Sequence, residues 1–257
     1  MGAEKLSPAL ARPGDNDPVR YAILGSARAE NDEGTPVPLG GPRLRALLTA
    51  LALRADRPVP VATLVDDIWS AGPPEDAPAA LQALVARLRR ALGRHTITSE
   101  PGAYRLATEP ATVDLFAFEH LLTDAKAALA QDDPATAAAT LREALSLWRG
   151  PALADLPDRT AAARPEALRA EATRTRIEAD LRLGRAPDLV PELRELTGTH
   201  PYDEPLHALL IRALHEAGRT AEALAAYEAV RRALRDTLGT DPGRDLRALH
   251  ALLLAPE

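Results

Sequence analysis

The sequence predicts a mostly α protein: a small α+β front domain of winged helix-turn-helix type, then an all-α domain of tetratricopeptide-like helices. Three observations carry this. Within Ala77–Leu92, Leu81, Leu84, Val85, Leu88 and Leu92 recur at the alternating three- and four-residue spacing of one helix face. A hairpin pattern follows at once, His95–Ser99 and Ala103–Ala107 flanking the turn Glu100-Pro101-Gly102. Beyond Pro110 strand signals cease, and Leu183-Gly184-Arg185 returns as Ala217-Gly218-Arg219 after 34 residues, the tetratricopeptide period.

The front elements read in order. Residues 1–18 have no apolar h-region and read as a flexible tail rather than a leader, so the chain is expected to be cytoplasmic. Val19, Tyr21 and Ile23 alternate with Arg20, Ala22 and Leu24 as in a half-buried strand. Ser26–Asn31 and Thr35–Leu39, joined by Asp32-Glu33-Gly34, then complete a small antiparallel sheet. Gly40-Gly41-Pro42 breaks it and opens a helix over Pro42–Arg54, with Leu44, Leu47, Leu48 and Leu51 on one side. Pro58–Pro60 reads as a connector, Val61–Trp69 as a second helix, and Ala71-Gly72-Pro73-Pro74 as the loop before the third. The second and third helices form the helix-turn-helix pair, and the domain is expected to span residues 19–107.

Residues 108–257 read as seven helices, near Val113–Gln131, Pro134–Trp148, Ala161–Leu183, Ala186–Thr199, Glu204–Ala217, Thr220–Leu238 and Gly243–Leu254. Small residues at Gly218, Ala221 and Ala225 let paired helices approach, and Tyr227 fills the next groove. The pair at Val113–Trp148 reads as a divergent third unit. Such pairs bury their apolar faces only by stacking into an array that offers a protein-binding or dimerising surface.

Composition narrows the chemistry. No cysteine is present, so disulfides, thiolate metal sites and cysteine nucleophiles are excluded. The longest near-apolar run, Ala46–Leu53, falls far short of the ~18 residues of a membrane span. Phosphate-cradling, nucleophile-elbow and zinc-protease motifs are missing, and the six histidines make no i, i+4 pair. Neither an enzyme, a metal site nor a cofactor is expected. Asp132-Asp133 and Asp203-Glu204 read as helix caps, and Trp69 and Trp148 as core. The net charge of −6 is unevenly spread: residues 19–107 hold 11 Arg against 9 Asp and Glu, while residues 108–257 are net acidic. Only the front half has the sign that suits DNA, and weakly, so affinity has to come from local placement of arginines.

That placement is visible on the third helix. Opposite its apolar face stand Arg90 and Arg94, flanked by Gln82, Arg87 and Arg89, with Ala79, Ala83 and Ala86 between. A helix of this kind buries one side and presents guanidinium groups to an anion, and with a β-wing behind it suits the major groove of DNA. Arg90 points most directly away from the core, with Arg87 and Arg89 to either side, better placed for phosphates. In the wing Ile97 and Leu106 turn inward, while Thr98 and Arg105 share the outer face. Arg43 and Arg45, at the start of the first helix, are further phosphate candidates.

The order of these segments resembles the Streptomyces antibiotic regulatory protein family, in which an OmpR-type winged helix precedes a bacterial transcriptional activator domain. The resemblance spans about Val19–Leu254 and rests on Val37–Arg43 with Arg45–Leu48, Leu64–Trp69 with Pro73-Pro74, Ala80–Gln82, Arg87–Gly93 and Gly102–Leu106. In the rear half Ala144–Ala154, His200-Pro201, Gly218–Tyr227 and Leu238–Pro242 correspond. Ending after its helical half, the chain resembles the short members. The resemblance implies an activator of antibiotic or other secondary-metabolite genes that binds direct repeats of A·T-containing heptamers beside the −35 region of promoter DNA and recruits RNA polymerase holoenzyme. It adds Tyr104 beside Arg105, and Arg89 with Arg90, as DNA candidates. It also implies Ser70–Asp76 as the activating loop, with the rear helices serving a homodimer or the transcription machinery. Leu84 and Ala86 stand where relatives often have an aromatic residue or histidine and a serine, and Glu100 where a basic residue is common. The alternative reading is a protein-interaction module in which the winged helix is structural or binds DNA weakly.

Overall fold

The computed structural model describes residues 19–255, so the expected tail at residues 1–18 lies outside the described residues. Among the described residues two compact units are present, one of residues 19–121 with 144–169, the other of residues 122–143 with 170–255.

The first unit opens with an antiparallel pair, β1 (Arg20–Ala22) and β2 (Arg28–Glu30), in which Tyr21 faces Ala29. Thr35–Leu39 does not add the expected third strand: only a single bridge, Glu30 to Pro36, forms there. Pro36 and Pro38 have no N–H to give a ladder, which leaves Val37 donating alone to Ala29 O at 2.8 Å. Three helices follow, α1 (Pro42–Ala52), α2 (Val61–Trp69) and α3 (Ala77–Leu92). Leu44, Leu47, Leu48 and Leu51 of α1 are buried with Leu64 and Ile68 of α2 and Leu81, Val85, Leu88 and Leu92 of α3. Each such side chain contributes ~1.5–3 kcal/mol on burial, so this shared core fixes the helix-turn-helix geometry.

Behind the helices lies a three-stranded sheet in the order β3 (Val59–Pro60), β5 (Ala103–Leu106), β4 (Ile97–Glu100). The expected connector Pro58–Pro60 thus supplies an edge strand, where a proline costs no ladder bond. The wing runs one residue further than the sequence suggested, because Glu100 pairs with Ala103 and the turn is Pro101-Gly102 alone, with Gly102 at φ +68°.

A second layer of the unit comes from much later in the chain. Residues 149–155 lie along the link between β1 and β2, Arg149 N donating to Leu24 O and Leu153 N to Ile23 O, both at 2.9 Å. Asp114, at the start of α4 (Asp114–Ala130), accepts from the Ile23 and Leu24 amides at 2.7 and 3.1 Å and from Arg149 at 3.0 Å. Burial pushes the Asp114 carboxyl above its ordinary value in spite of these donors. Trp148 is core, edge-to-face with Phe118 at 5.3 Å and capped by the Arg169 guanidinium 4.7 Å from its ring.

The second unit is helical: α5 (Pro134–Ser146) and α6 (Ala163–Arg182) contribute to it, followed by α7 (Ala186–Thr199), α8 (Glu204–Glu216), α9 (Thr220–Leu238) and α10 (Arg244–Leu254). Helix limits lie within about two residues of those read from the sequence, and those of α2, α3, α7 and α9 coincide with them. The 34-residue repeat has a geometric counterpart. Gly184 and Gly218 both adopt left-handed φ, +74° and +75°, and each following arginine amide reaches back to the residue five before it, Arg185 N to Asp180 O and Arg219 N to Leu214 O. This is a Schellman turn, and it also ends α4, where Asp132 is left-handed at φ +58° and Asp133 N reaches back to Ala128 O. Leu189, Leu193, Leu206, Ile211, Leu214, Tyr227, Val230 and Leu246 then form a continuous core. Asp133 and Asp203 are N-caps, accepting from Thr136 N and Leu206 N at 3.0 and 3.1 Å.

Candidate nucleic-acid interface

Helix α3 owes its start to Asp76, whose side chain accepts from Ala79 N at 3.0 Å, and its end to Gly93 at φ +109°. The buried stripe of Leu81, Val85, Leu88 and Leu92 leaves the opposite side to Gln82, Ala83, Ala86, Arg87 and Arg90, all exposed, with exposed Arg94 just past the helix. Alanines keep this side low, so the guanidinium groups stand proud of it. Among the described residues Arg87 and Arg94 have no intramolecular partner, and Arg90 has only the Ala86 carbonyl, 3.3 Å from its Nε.

The other candidate residues are placed differently. Arg89 turns toward the wing: its Nε donates to Ile97 O and its Nη2 to Ser99 Oγ, both at 2.9 Å. It couples α3 to β4. Arg43 donates to the Ile68 carbonyl at the end of α2. Arg45 donates to Gly40 O and pairs with Asp155 at 2.7 Å. In the wing, Thr98 and Arg105 face each other across the strands, as the alternation predicted, with Ile97 and Leu106 buried behind them. Tyr104 is half-buried between Val59 and Ser99 in the sheet register. Arg105 lies between two acids, Nη1 at 3.0 Å from Asp56 and Nε at 2.9 Å from Glu100.

The structure therefore leaves Gln82, Arg87 and Arg90 on one open helix side, with Arg94 exposed just past the helix end, and commits Arg43, Arg45, Arg89 and Arg105 to other groups. Asp56 and Asp155 were missed by sequence reasoning. Asp155 gives no local signal, whereas Asp56, in the Ala-Asp-Arg-Pro turn at φ +56°, carries a turn signature. The loop Ser70–Asp76 is exposed throughout. Among the described residues no three His, Asp or Glu side chains converge as a metal site, and no helix is long and apolar enough to cross a membrane.

Residues 34–106 match the family described as "Transcriptional regulatory protein, C terminal", and residues 113–254 match the "Bacterial transcriptional activator domain". The regulatory protein DnrI of Streptomyces peucetius is 38% identical over 249 residues, 91% of this chain and 91% of that one. The chain belongs to the Streptomyces antibiotic regulatory protein family.

Within that family, the regulatory protein AfsR of Streptomyces griseus is 38% identical over 98% of this chain, which spans 26% of AfsR. The solved structure of Mycobacterium tuberculosis EmbR in complex with a low affinity phosphopeptide has a TM-score of 0.87 at 36% identity, covering 93% of this chain and 65% of that one. The family's combination of OmpR-type winged helix and helical activator domain is thus the fold of this chain, with α2 and α3 as the helix-turn-helix pair and β4 and β5 as the wing.

Proposed function

We propose that the protein is a sequence-specific DNA-binding activator of antibiotic or other secondary-metabolite genes, and that it docks α3 in the major groove of tandem A·T-containing heptamers near the −35 region. The observation that carries this reading is the exposed stripe of Gln82, Arg87 and Arg90, continued by Arg94, on a helix whose other face is locked in the core. Gln82 and Arg90 suit base edges, Gln by its two-pronged fit to adenine and Arg by its fit to guanine. Arg87 and Arg94, to the sides, suit phosphates that fix the helix in register. The exposed loop Ser70–Asp76 is the surface offered to RNA polymerase, and the helical array of the second unit serves dimerisation or the same machinery.

Fluorescence anisotropy with a duplex carrying two direct heptamer repeats, against a scrambled duplex, tests it. The wild type is expected to prefer the repeat duplex. Arg90→Ala is expected to lose ~1–3 kcal/mol and relax the choice of base at one position per repeat. Arg87→Ala is expected to weaken both duplexes alike and flatten the salt dependence by about one unit. Equal binding of the two duplexes would instead favour the reading as a protein-interaction module.

A further inference from the structure

The wing bears an arginine that is already occupied. Arg105 Nη1 donates to Asp56 Oδ1 at 3.0 Å, and Arg105 Nε lies 2.9 Å from Glu100 Oε1. The two contacts differ in kind. The first is an aligned hydrogen bond to a residue held in place, since Asp56 N donates to Leu106 O at 3.0 Å and its backbone has the left-handed φ of +56°. The second brings opposite charges together outside hydrogen-bond alignment, so the buried Nε carries no directed bond. Glu100 reaches Arg105 along one sheet face, because Glu100 pairs with Ala103 and Thr98 with Arg105, putting all four on the outer side of the hairpin. Arg105 and Glu100 are both only about one-third exposed, at 33% and 31%, while Asp56 at 55% is open to water.

A guanidinium between two carboxylates is the arrangement it adopts against two backbone phosphates. The three groups sum to one negative charge, so Arg105 as folded offers a phosphate no net attraction. We propose that Glu100 is an affinity-setting residue of the wing: it occupies Arg105 as an internal substitute for a DNA phosphate, and the wing gains its backbone contact only when phosphate displaces it. This rests on the DNA-binding reading above. Asp56 keeps the guanidinium at the wing root in both states, and Glu100, at the misaligned contact beside the turn, is the partner that exchanges.

The consequence is quantitative. Glu100 competes with phosphate for Arg105, so the wild-type complex holds this contact only part of the time. Freeing Arg105 adds up to one phosphate contact, and each contact steepens the dependence of log K on log salt by about 0.9. Glu100→Gln keeps the side chain's size and strand position and removes its charge. It is expected to tighten binding several-fold, to both repeat and scrambled duplexes, since phosphates carry no sequence. The gain is expected to be larger at 50 mM salt than at 200 mM, by up to about 3.5-fold.

The decisive experiment is a double-mutant cycle by anisotropy titration, using the full chain with Glu100→Gln and Arg105→Gln singly and together, each checked for native circular dichroism and melting. If Glu100 acts through Arg105, its removal strengthens binding in the wild-type background and has little effect once Arg105 is gone. A gain of equal or greater size in the Arg105→Gln background overturns the proposal, because Glu100 would then act as a plain repulsive charge. So does the lack of any gain. Should Arg105→Gln fail to fold, Arg105→Met replaces it, since it keeps the side chain's length and apolar stem without the charge, and a Glu100→Gln gain of undiminished size in that background overturns the proposal in the same way. A wild type that binds neither duplex overturns the DNA-binding reading itself, whereas a binding wild type with an unresponsive Glu100→Gln sinks only the exchange.

Discussion

Arg45 and Asp155 meet at 2.7 Å although 110 residues separate them. Asp155 is nearly closed off, its side chain 7% exposed, and its second oxygen accepts from the Ala27 amide at 2.6 Å and the Ser26 hydroxyl at 3.1 Å. One carboxylate thus joins α1, the start of β2 and the 149–155 segment. Removing it as Asp155→Ala leaves the buried Ala27 amide without an acceptor and the Arg45 guanidinium with Gly40 O alone. The expected loss is ~2–3 kcal/mol in chemical denaturation. Arg45→Ala leaves Asp155 its amide and hydroxyl donors and is expected to cost clearly less. The reverse order would show that the carboxylate is not the hub.

Gly25 lies where the 149–155 segment crosses the β1–β2 link. Its φ is +140°, and a Cβ there would sit 3.2 Å from Arg149 Cβ and 3.3 Å from the Gly150 nitrogen, in backbone that cannot swing away. Gly25→Ala is expected to cost ~1–3 kcal/mol from the strained backbone, with the clash added. Gly34→Ala is the control, being left-handed at φ +75° with open space around it. A melting temperature lowered equally by both would show that the close approach contributes nothing.

His207 Nε2 donates to Pro201 O, 3.1 Å away, near the start of α8. Burial pulls its pKa below the ordinary 6.5, outweighing the Pro201 carbonyl and the nearby Asp203 and Glu204, which raise it. The unfolded chain therefore binds a proton on this ring more readily than the folded one. The neutral ring's contribution is complete above about pH 6.5 and is lost as pH falls through the lowered native value. His207→Gln is expected to remove that component, making denaturation midpoints less pH-dependent between pH 7 and 5. An unchanged pH profile in the variant would remove His207 from the account.

Helices α2, α3, α7 and α9 were legible because the signals that form them are local: apolar spacing, proline and glycine punctuation, and a glycine where a left-handed turn is needed. The repeat was legible for the same reason, Gly184 and Gly218 marking the same turn at a fixed interval. β3 was not, since two residues ending in proline carry no alternation, and they become a strand only because β5 offers an open edge. Nor was the reach of the wing: Glu100 reads as turn beside Pro101-Gly102, yet pairs with Ala103.

The arginines divide sequence from structure most sharply. Their spacing on α3 placed Arg87 and Arg90 on the side opposite the leucines, because helical period alone sets that direction. Whether a given guanidinium is open to an anion depends on acceptors distant in the chain: Asp155 for Arg45, Ile97 O and Ser99 for Arg89, Asp56 and Glu100 for Arg105. The order of apolar and turn residues determined which elements form and which faces they bury. Only folding decided which charges remain unsatisfied, because Coulomb and hydrogen-bond partners are chosen by proximity in space, and a linear string does not contain it.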